Sequence, residues 1–406
     1  MAFNSLIFLA FISLFLSFYF FLGSRIKILY LLFASYIFYA AWDWRFLGLI
    51  LLSTFIDYLI GSKLGVERNI LYRKLLVFSS IFCNLTILGI FKYLGFFIDS
   101  FQYLLGEIGF NPDWPTLNII LPVGISFYTF QSLSYTIDIY RGNLKPERNF
   151  FNFASYITMF PQLVAGPIVR ASHLLPQLNC PKELNLNRLF NGAELIVWGY
   201  LLKVVLADNL GFLIETNNYF QNPRDYGSYD LILAVVMFSF QIYGDFAGYS
   251  LIAIGLAKIL GFDLAQNFNR PYFSSTFSEF WKRWHISLSS WLRDYLYISL
   301  GGNRRGALRT SLNLIITMLL GGLWHGAALT FLFWGLLHGI YLIIFKYLQN
   351  ILHYNNNKYI KFFQKILLIL IVFILTSIAW IFFRCNSVED SFYIIKTIFT
   401  FDISKS

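Results

Sequence analysis

Two histidines stand out in a chain built mostly of apolar side chains. His325 lies in LLGGLWHGAALTFLFWGLLHG (319–339), with Gly321, Gly322 and Gly326 around it. Glycine has no side chain to keep a backbone or a substrate at a distance, and a neutral imidazole accepts a proton at neutral pH. The pattern suits the general base of an apolar tunnel; a structural histidine hydrogen-bonded across helices fits the same residues. His285 lies in FWKRWHISLSSWLRDYLYISLGGNRRG (280–306), beside Lys282, Arg283, Arg293, Arg304, Arg305 and three tryptophans. On a helix, Trp281, Trp284, His285, Leu288, Trp291, Leu292 and Tyr295 share one face, and the charges of Lys282, Arg283, Arg293 and Asp294 fall on the rest. Such a helix suits the cytoplasmic interface, with aromatics among the headgroups and cations toward anionic lipid. It leaves unexplained His285 on the apolar face, the turn GGNRRG, and NFNRPY at 267–272 with Asn267, Asn269 and Arg270. A cationic mouth for a phosphate-bearing donor accounts for those as well.

Asp245 sits in QIYGDFAGYS, inside the apolar run 230–261. A carboxylate at membrane depth must be paired, protonated or turned to a cavity. It could orient a histidine, bind a substrate hydroxyl or simply pair with an arginine, and structural pairing is the favoured reading. His338 follows His325 by 13 residues and faces elsewhere on a continuous helix; His173 and His353 fall in loops. No two histidines have the i, i+4 spacing of a helical metal pair, so no metal is predicted. A G-x-S-x-G elbow and a phosphate-binding P-loop are both missing from the sequence, which argues against a serine hydrolase and an ATP-driven pump.

The elements that must carry these residues are membrane helices. Of 406 residues, 57% are hydrophobic and only 13% charged, about half the charge of a soluble domain. The runs 6–23, 47–61, 75–98, 191–214, 231–261, 311–345 and 366–383 approach or exceed the roughly 18 residues that span a bilayer. The net charge of +10 resides between these runs, which reads as a positive-inside bias and not as nucleic-acid binding. Arg25 and Lys27 after the first span place the N-terminus outside, and the first span reads as retained, not as a signal peptide. The linker with Lys63, Arg68, Arg73 and Lys74 is inside, 99–117 with Asp99, Glu107 and Asp113 outside, and RGNLKPERN at 141–149 inside. Helices at 28–41, 47–61, 75–98 and 118–138 satisfy that alternation. The stretch 153–170, interrupted by Pro161, Gly166 and Pro167, reads as re-entrant or broken. The run 230–261 is too long for one straight span, and 311–347 turns near GGLWHGA. Cys83, Cys180 and Cys385 show no pairing pattern, Asn84 heads a chance glycosylation sequon, and NNN at 355–357 marks a polar loop. The expectation is an all-α polytopic membrane protein in a single domain, 1–406.

MFPQLVAGPIVR (159–170), QIYGDFAGYSLIAIGLAKILGF (241–262), NFNRPYF (267–273) and the two histidine-bearing blocks resemble the membrane-bound O-acyltransferase family, in its bacterial alginate O-acetyltransferase-like branch. The resemblance spans about residues 20–390. It implies a ring of tilted helices with re-entrant and interfacial helices around a central tunnel, some ten to eleven membrane-embedded segments in all. It implies that His325 is catalytic, with His285 a second active-site histidine. Asp245, Asn269, Trp284, Arg283 and Trp324 are the expected substrate and tunnel residues. No bound cofactor is implied; the donor substrate is a cytoplasmic acyl thioester, acetyl-coenzyme A or an acyl carrier protein. The acceptor is a hydroxyl of an exported polysaccharide, or an extracytoplasmic acetyltransferase partner that completes the transfer. Membrane lipids are the other implied contact, nucleic acid is not, and the location is the bacterial inner membrane. Members of this family commonly continue with one or two spans beyond the segment matching IAWIFFRCNSVEDSFYIIKTIF, so those spans are expected to be missing here. A transporter or lipid flippase without acyl-transfer chemistry is the alternative, since buried polar residues and broken segments also mark transporter sites. It would be favoured by inverted repeats, and none is found. A membrane scaffold is the weakest alternative.

Overall fold

The computed structural model describes residues 1, 3–110, 119–164, 166–180, 185–351 and 358–401, and among these no strand occurs. Asp113, His353 and Asn355–Asn357 lie outside them. The helices are α1 (Leu6–Tyr19), α2 (Ser24–Asp43), α3 (Leu47–Val66), α4 (Ile70–Leu88), α5 (Leu94–Glu107), α6 (Ile125–Tyr140), α7 (Phe150–Thr158), α8 (Phe160–Leu163) and α9 (Ala171–Leu178). They continue with α10 (Leu186–Tyr200), α11 (Asn209–Thr216), α12 (Ser228–Ile259), α13 (Phe277–Trp281), α14 (Ile286–Trp291), α15 (Gly306–His325), α16 (Leu329–Ile351), α17 (Lys358–Arg384) and α18 (Val388–Thr400). Seven helical stretches among the described residues are long and apolar enough to cross a bilayer. The protein is an all-α, multi-pass membrane protein.

Most expected spans recur as helices. The stretch Ile26–Val66 turns at Asp43, whose extended backbone (φ −159°) and side chain, accepting the Arg45 N–H at 3.0 Å, separate α2 from α3. The 153–170 stretch is broken as expected: α7 ends at Thr158, α8 covers only Phe160–Leu163, and no helix follows until α9 starts at Ala171. Two expectations fail. The run 230–261 is one unbroken helix of 32 residues, about 48 Å long; a helix longer than the bilayer core is accommodated by tilt or overhang. The span expected at 118–138 begins only at Ile125, after Pro122 and a left-handed Gly124 at φ +75°. A Cβ at Gly124 would also sit 2.5 Å from the Leu163 carbonyl oxygen, so only glycine starts α6 there.

The chain forms two compact units, Met1–Tyr200 with Tyr249–Ala265, and Leu201–Gly248 with Gln266–Ser406. The first has an aromatic core that includes Phe8, Phe15, Phe38 and Phe160, and it also holds a polar knot. Asp57 on α3 accepts from Ser80 Oγ at 2.5 Å and from Asn84 Nδ2 at 2.8 Å, both on α4. Ser53 Oγ donates to Asn84 Oδ1 at 2.9 Å, and Ser80 Oγ lies 3.0 Å from Thr136 Oγ1 on α6. Water is scarce at this depth, so polar atoms find partners on neighbouring helices; Asn84 is buried in this knot. Arg73 donates to the Leu64 carbonyl at 2.6 Å and the Tyr140 carbonyl at 2.9 Å, so one guanidinium caps the ends of α3 and α6.

In the second unit α15 and α16 form a hairpin held by glycines. A Cβ at Gly322 would collide with the Phe331 carbonyl oxygen, one at Gly335 with that of Met318, and one at Gly339 would lie 2.8 Å from Ile315 Cδ1. Small residues let membrane helices approach backbone to backbone. Gly335→Ala is expected to cost about 1–3 kcal/mol by overpacking, read as a lowered unfolding midpoint in detergent. Gly48→Ala on α3, where nothing lies within 4 Å, should leave the midpoint unchanged or raise it slightly, since alanine favours a helix over glycine by up to about 1 kcal/mol.

Candidate active site

The segment expected as one amphipathic helix is broken at His285. α13 ends at Trp281, His285 adopts a left-handed conformation (φ 42°, ψ 55°), and α14 then gives way to a π-helical turn, Leu292–Tyr297. The NFN segment splices the break. Asn269 N–H donates to the Arg283 carbonyl at 2.9 Å and Ile286 N–H to that of Asn267 at 2.9 Å. Asn267 Oδ1 accepts from Ser287 N–H at 3.2 Å and Ser287 Oγ at 2.9 Å, satisfying the start of α14. All seven residues of the expected apolar face are nevertheless buried. Lys282, Arg293, Arg304 and Arg305 are exposed, and Arg283 pairs with Glu279 at 2.6 Å.

The break aims His285 at His325, with ring centroids 6.3 Å apart. His285 is fully buried, its ring 4.5 Å from that of Phe246 and 5.7 Å from that of Trp324. Neither of its nitrogens makes a hydrogen bond among the described residues. Burial, and next the neighbouring His325, push its pKa well below the ordinary imidazole value, so it is neutral at pH 7. His325, the last residue of α15, is half-buried and contacts the rings of Trp324 at 5.0 Å, Trp334 at 5.1 Å and Phe383 at 5.1 Å. A Cβ at Gly326 would collide with the Phe331 ring, so the glycine after His325 serves the tight return into α16.

Of the residues singled out from sequence, His285, His325 and Trp324 form one cluster. Asn269 is exposed and serves through its backbone, and Arg283 is held by Glu279. Trp284 packs on Trp380 at 4.9 Å and Phe268 at 5.1 Å, as part of the core. Asp245 is paired, as expected, but with a lysine and not with an arginine: Lys203 Nζ lies 2.5 Å from Asp245 and 2.6 Å from Asp208. Lys203 belongs to a π-helical segment, Leu201–Asp208. Its position inside the apolar run 191–214 was a readable signal, by the same rule that singled out Asp245.

A cavity of about 340 Å³ opens in the same unit, lined among others by Trp281, Ser289, Leu292, Arg293, Asn303 and Lys346. Trp281 stands 5.8 Å from Trp334, and Trp334 touches His325. The cavity and His325 are thus linked by two rings, with two cations at the cavity wall.

The second unit thus brings together two facing imidazoles and a cavity with two cations on its wall. The membrane-bound O-acyltransferase family model matches residues 145–385, and the chain belongs to that family. It is an O-acyltransferase, which separates it from the transporter reading. A probable alginate O-acetylase of Pseudomonas syringae pv. tomato is 41% identical, over 99% of this chain and 76% of the relative. The peptidoglycan O-acetyltransferase of Helicobacter pylori is 34% identical over 91% and 73%, and the teichoic acid D-alanyltransferase of Bacillus subtilis 28% over 74% and 75%.

Two outcomes follow from the site's electrostatics. His285 has a depressed folded pKa, so below its unfolded value, about 6.5, the unfolded chain takes up a proton that the folded one refuses, and stability falls as pH falls. The unfolding midpoint should drop between about pH 7.5 and 5.5, and less in His285→Gln. Lys203→Met removes the partner of two carboxylates that are each more than a third exposed and should cost about 1 kcal/mol, largely recovered when Asp245→Asn and Asp208→Asn are added.

Proposed function

We propose that the protein transfers an acetyl group from a cytoplasmic thioester to a hydroxyl of an exported polysaccharide, with His325 as general base. The observation that carries this is the placement of His325: half-buried at a helix end, facing His285, two rings from a cation-lined cavity. His325 takes the proton of the acceptor hydroxyl as its oxygen attacks the thioester carbonyl. The C–S bond breaks, and the departing thiolate receives the proton. General-base catalysis contributes about 10²–10⁴-fold, and holding both reactants in line away from bulk water adds to it. His285, neutral and buried, is placed to hydrogen-bond the reacting groups when they enter. Trp324 packs against both imidazoles and fixes their spacing.

The donor class is supported by Arg293 and Lys346 at the cavity, which suit a phosphate-bearing thioester, whether coenzyme A or a carrier protein. The acceptor class is supported by relatives described as alginate and peptidoglycan acetyltransferases. The positive-inside pattern supports an extracytoplasmic N-terminus in a bacterial inner membrane. In cells making this protein, His325→Ala at unchanged protein level should lower ester-linked acetate on the surface glycan by about 100-fold or more, measured by mass spectrometry. Undiminished acetylation would end the proposal.

A further inference from the structure

The cavity between the α13–α14 segment, α15 and α16 changes character with depth. At its rim stand Arg293 in the π-helical turn, Asn303 in the turn before α15, and Lys346, two residues from the end of the span Leu329–Leu348. Deeper, it is lined by Leu314 and Met318 on α15 and by Leu342 and Phe345 on α16. Met318 lies twelve residues into α15, about 18 Å along its axis, a reach of more than half a hydrocarbon core about 30 Å thick. Leu342, Phe345 and Lys346 follow one another at i, i+3 and i+4, so one face of α16 carries both apolar wall and cation.

The charge at the rim has one sign. Among the described residues that line the cavity, two are cationic and none is acidic. Arg293 gives its Nε–H to Asp294 at 2.7 Å, yet its side chain stays 62% exposed. A phosphate-bearing donor would use this rim alone, and the apolar wall beneath it asks for a hydrocarbon chain. Basic pockets between membrane helices at headgroup level hold anionic lipids, and long cationic side chains reach that level from within a span. A volume of about 340 Å³ suits a phosphate and the upper part of one chain, with the rest of the lipid left in the bilayer. We propose that this cavity binds an anionic glycerophospholipid, its phosphate on Arg293 and Lys346 and one acyl chain against Leu314, Met318, Leu342 and Phe345. The site goes beyond the donor reading, sharing its cations but not its chemistry. A lipid seated there ties the interfacial segment to the hairpin that carries His325.

The test uses the full-length protein in a neutral detergent, with dioleoyl phosphatidylglycerol, dioleoyl phosphatidylcholine or inorganic phosphate added, and bound lipid counted by native mass spectrometry. Phosphatidylglycerol should bind at about tenfold lower concentration than phosphatidylcholine, and millimolar phosphate should not displace it. Arg293→Gln and Lys346→Gln should each weaken that binding about fivefold, the effect of one cation near an anionic lipid. Leu314→Trp, which fills the apolar wall, should weaken it while both cations remain. Phosphatidylglycerol should also raise the unfolding midpoint of the wild type. It should raise that of each variant less, measured against the variant's own lipid-free midpoint, so a variant that folds less well still reports. Equal binding of the two lipids, displacement by phosphate, or binding and midpoint shifts untouched by the substitutions would overturn the proposal. The readout needs no turnover, so wild-type protein that releases no thiol from acetyl-coenzyme A or an acetylated carrier protein would overturn the donor reading and leave this site standing.

Discussion

A polar atom inside a bilayer has almost no water to turn to, and this protein answers that constraint in two ways. In the first unit a polar knot closes on itself: Asp57, Ser80, Asn84, Ser53 and Thr136 bond to one another across three helices, and Arg73 takes the loose carbonyls of two helix ends. In the second unit, His285 and His338 are enclosed by rings alone. Buried polar atoms without a hydrogen bond among the described residues occur in both units, Tyr128 and Gln131 in the first as well as His285 and His338 in the second, and it is the facing of His285 and His325 that singles out the candidate site.

The position of His325 follows from backbone contact between α15 and α16. Gly322, Gly335 and Gly339 let the two helices meet without side chains between them, and Gly326 leaves room for the Phe331 ring at the return. Because the hairpin closes so tightly, the last residue of α15 is carried against the rings of Trp334 and Phe383. A bulkier hairpin would displace the imidazole by the width of a side chain, and a misplacement of about 1 Å already costs transfer enzymes heavily.

Much of this was legible in the sequence. Length and hydropathy identify the membrane helices, and the turn near GGLWHGA is readable from its glycines. The i, i+3, i+4 pattern from Trp281 to Tyr295 predicted the buried face correctly while missing the break within it. Periodicity reports which way side chains point but not whether the main chain is continuous. The break depends on Asn267 and Asn269, whose hydrogen bonds to residues 283–287 span a long separation in sequence. Asp245 was readable as a charge needing a partner, but Lys203 lies some forty residues away, and only the fold pairs them.

The left-handed turn at His285 has a consequence for how that side chain works. Its ring is aimed by the main chain and by the faces of Phe246 and Trp324, not by a hydrogen bond to either nitrogen. In many enzymes a carboxylate or carbonyl on one side of an imidazole dictates which nitrogen bears hydrogen. At His285 no such bond is present among the described residues, so the main chain and the packed rings alone hold the imidazole in its direction.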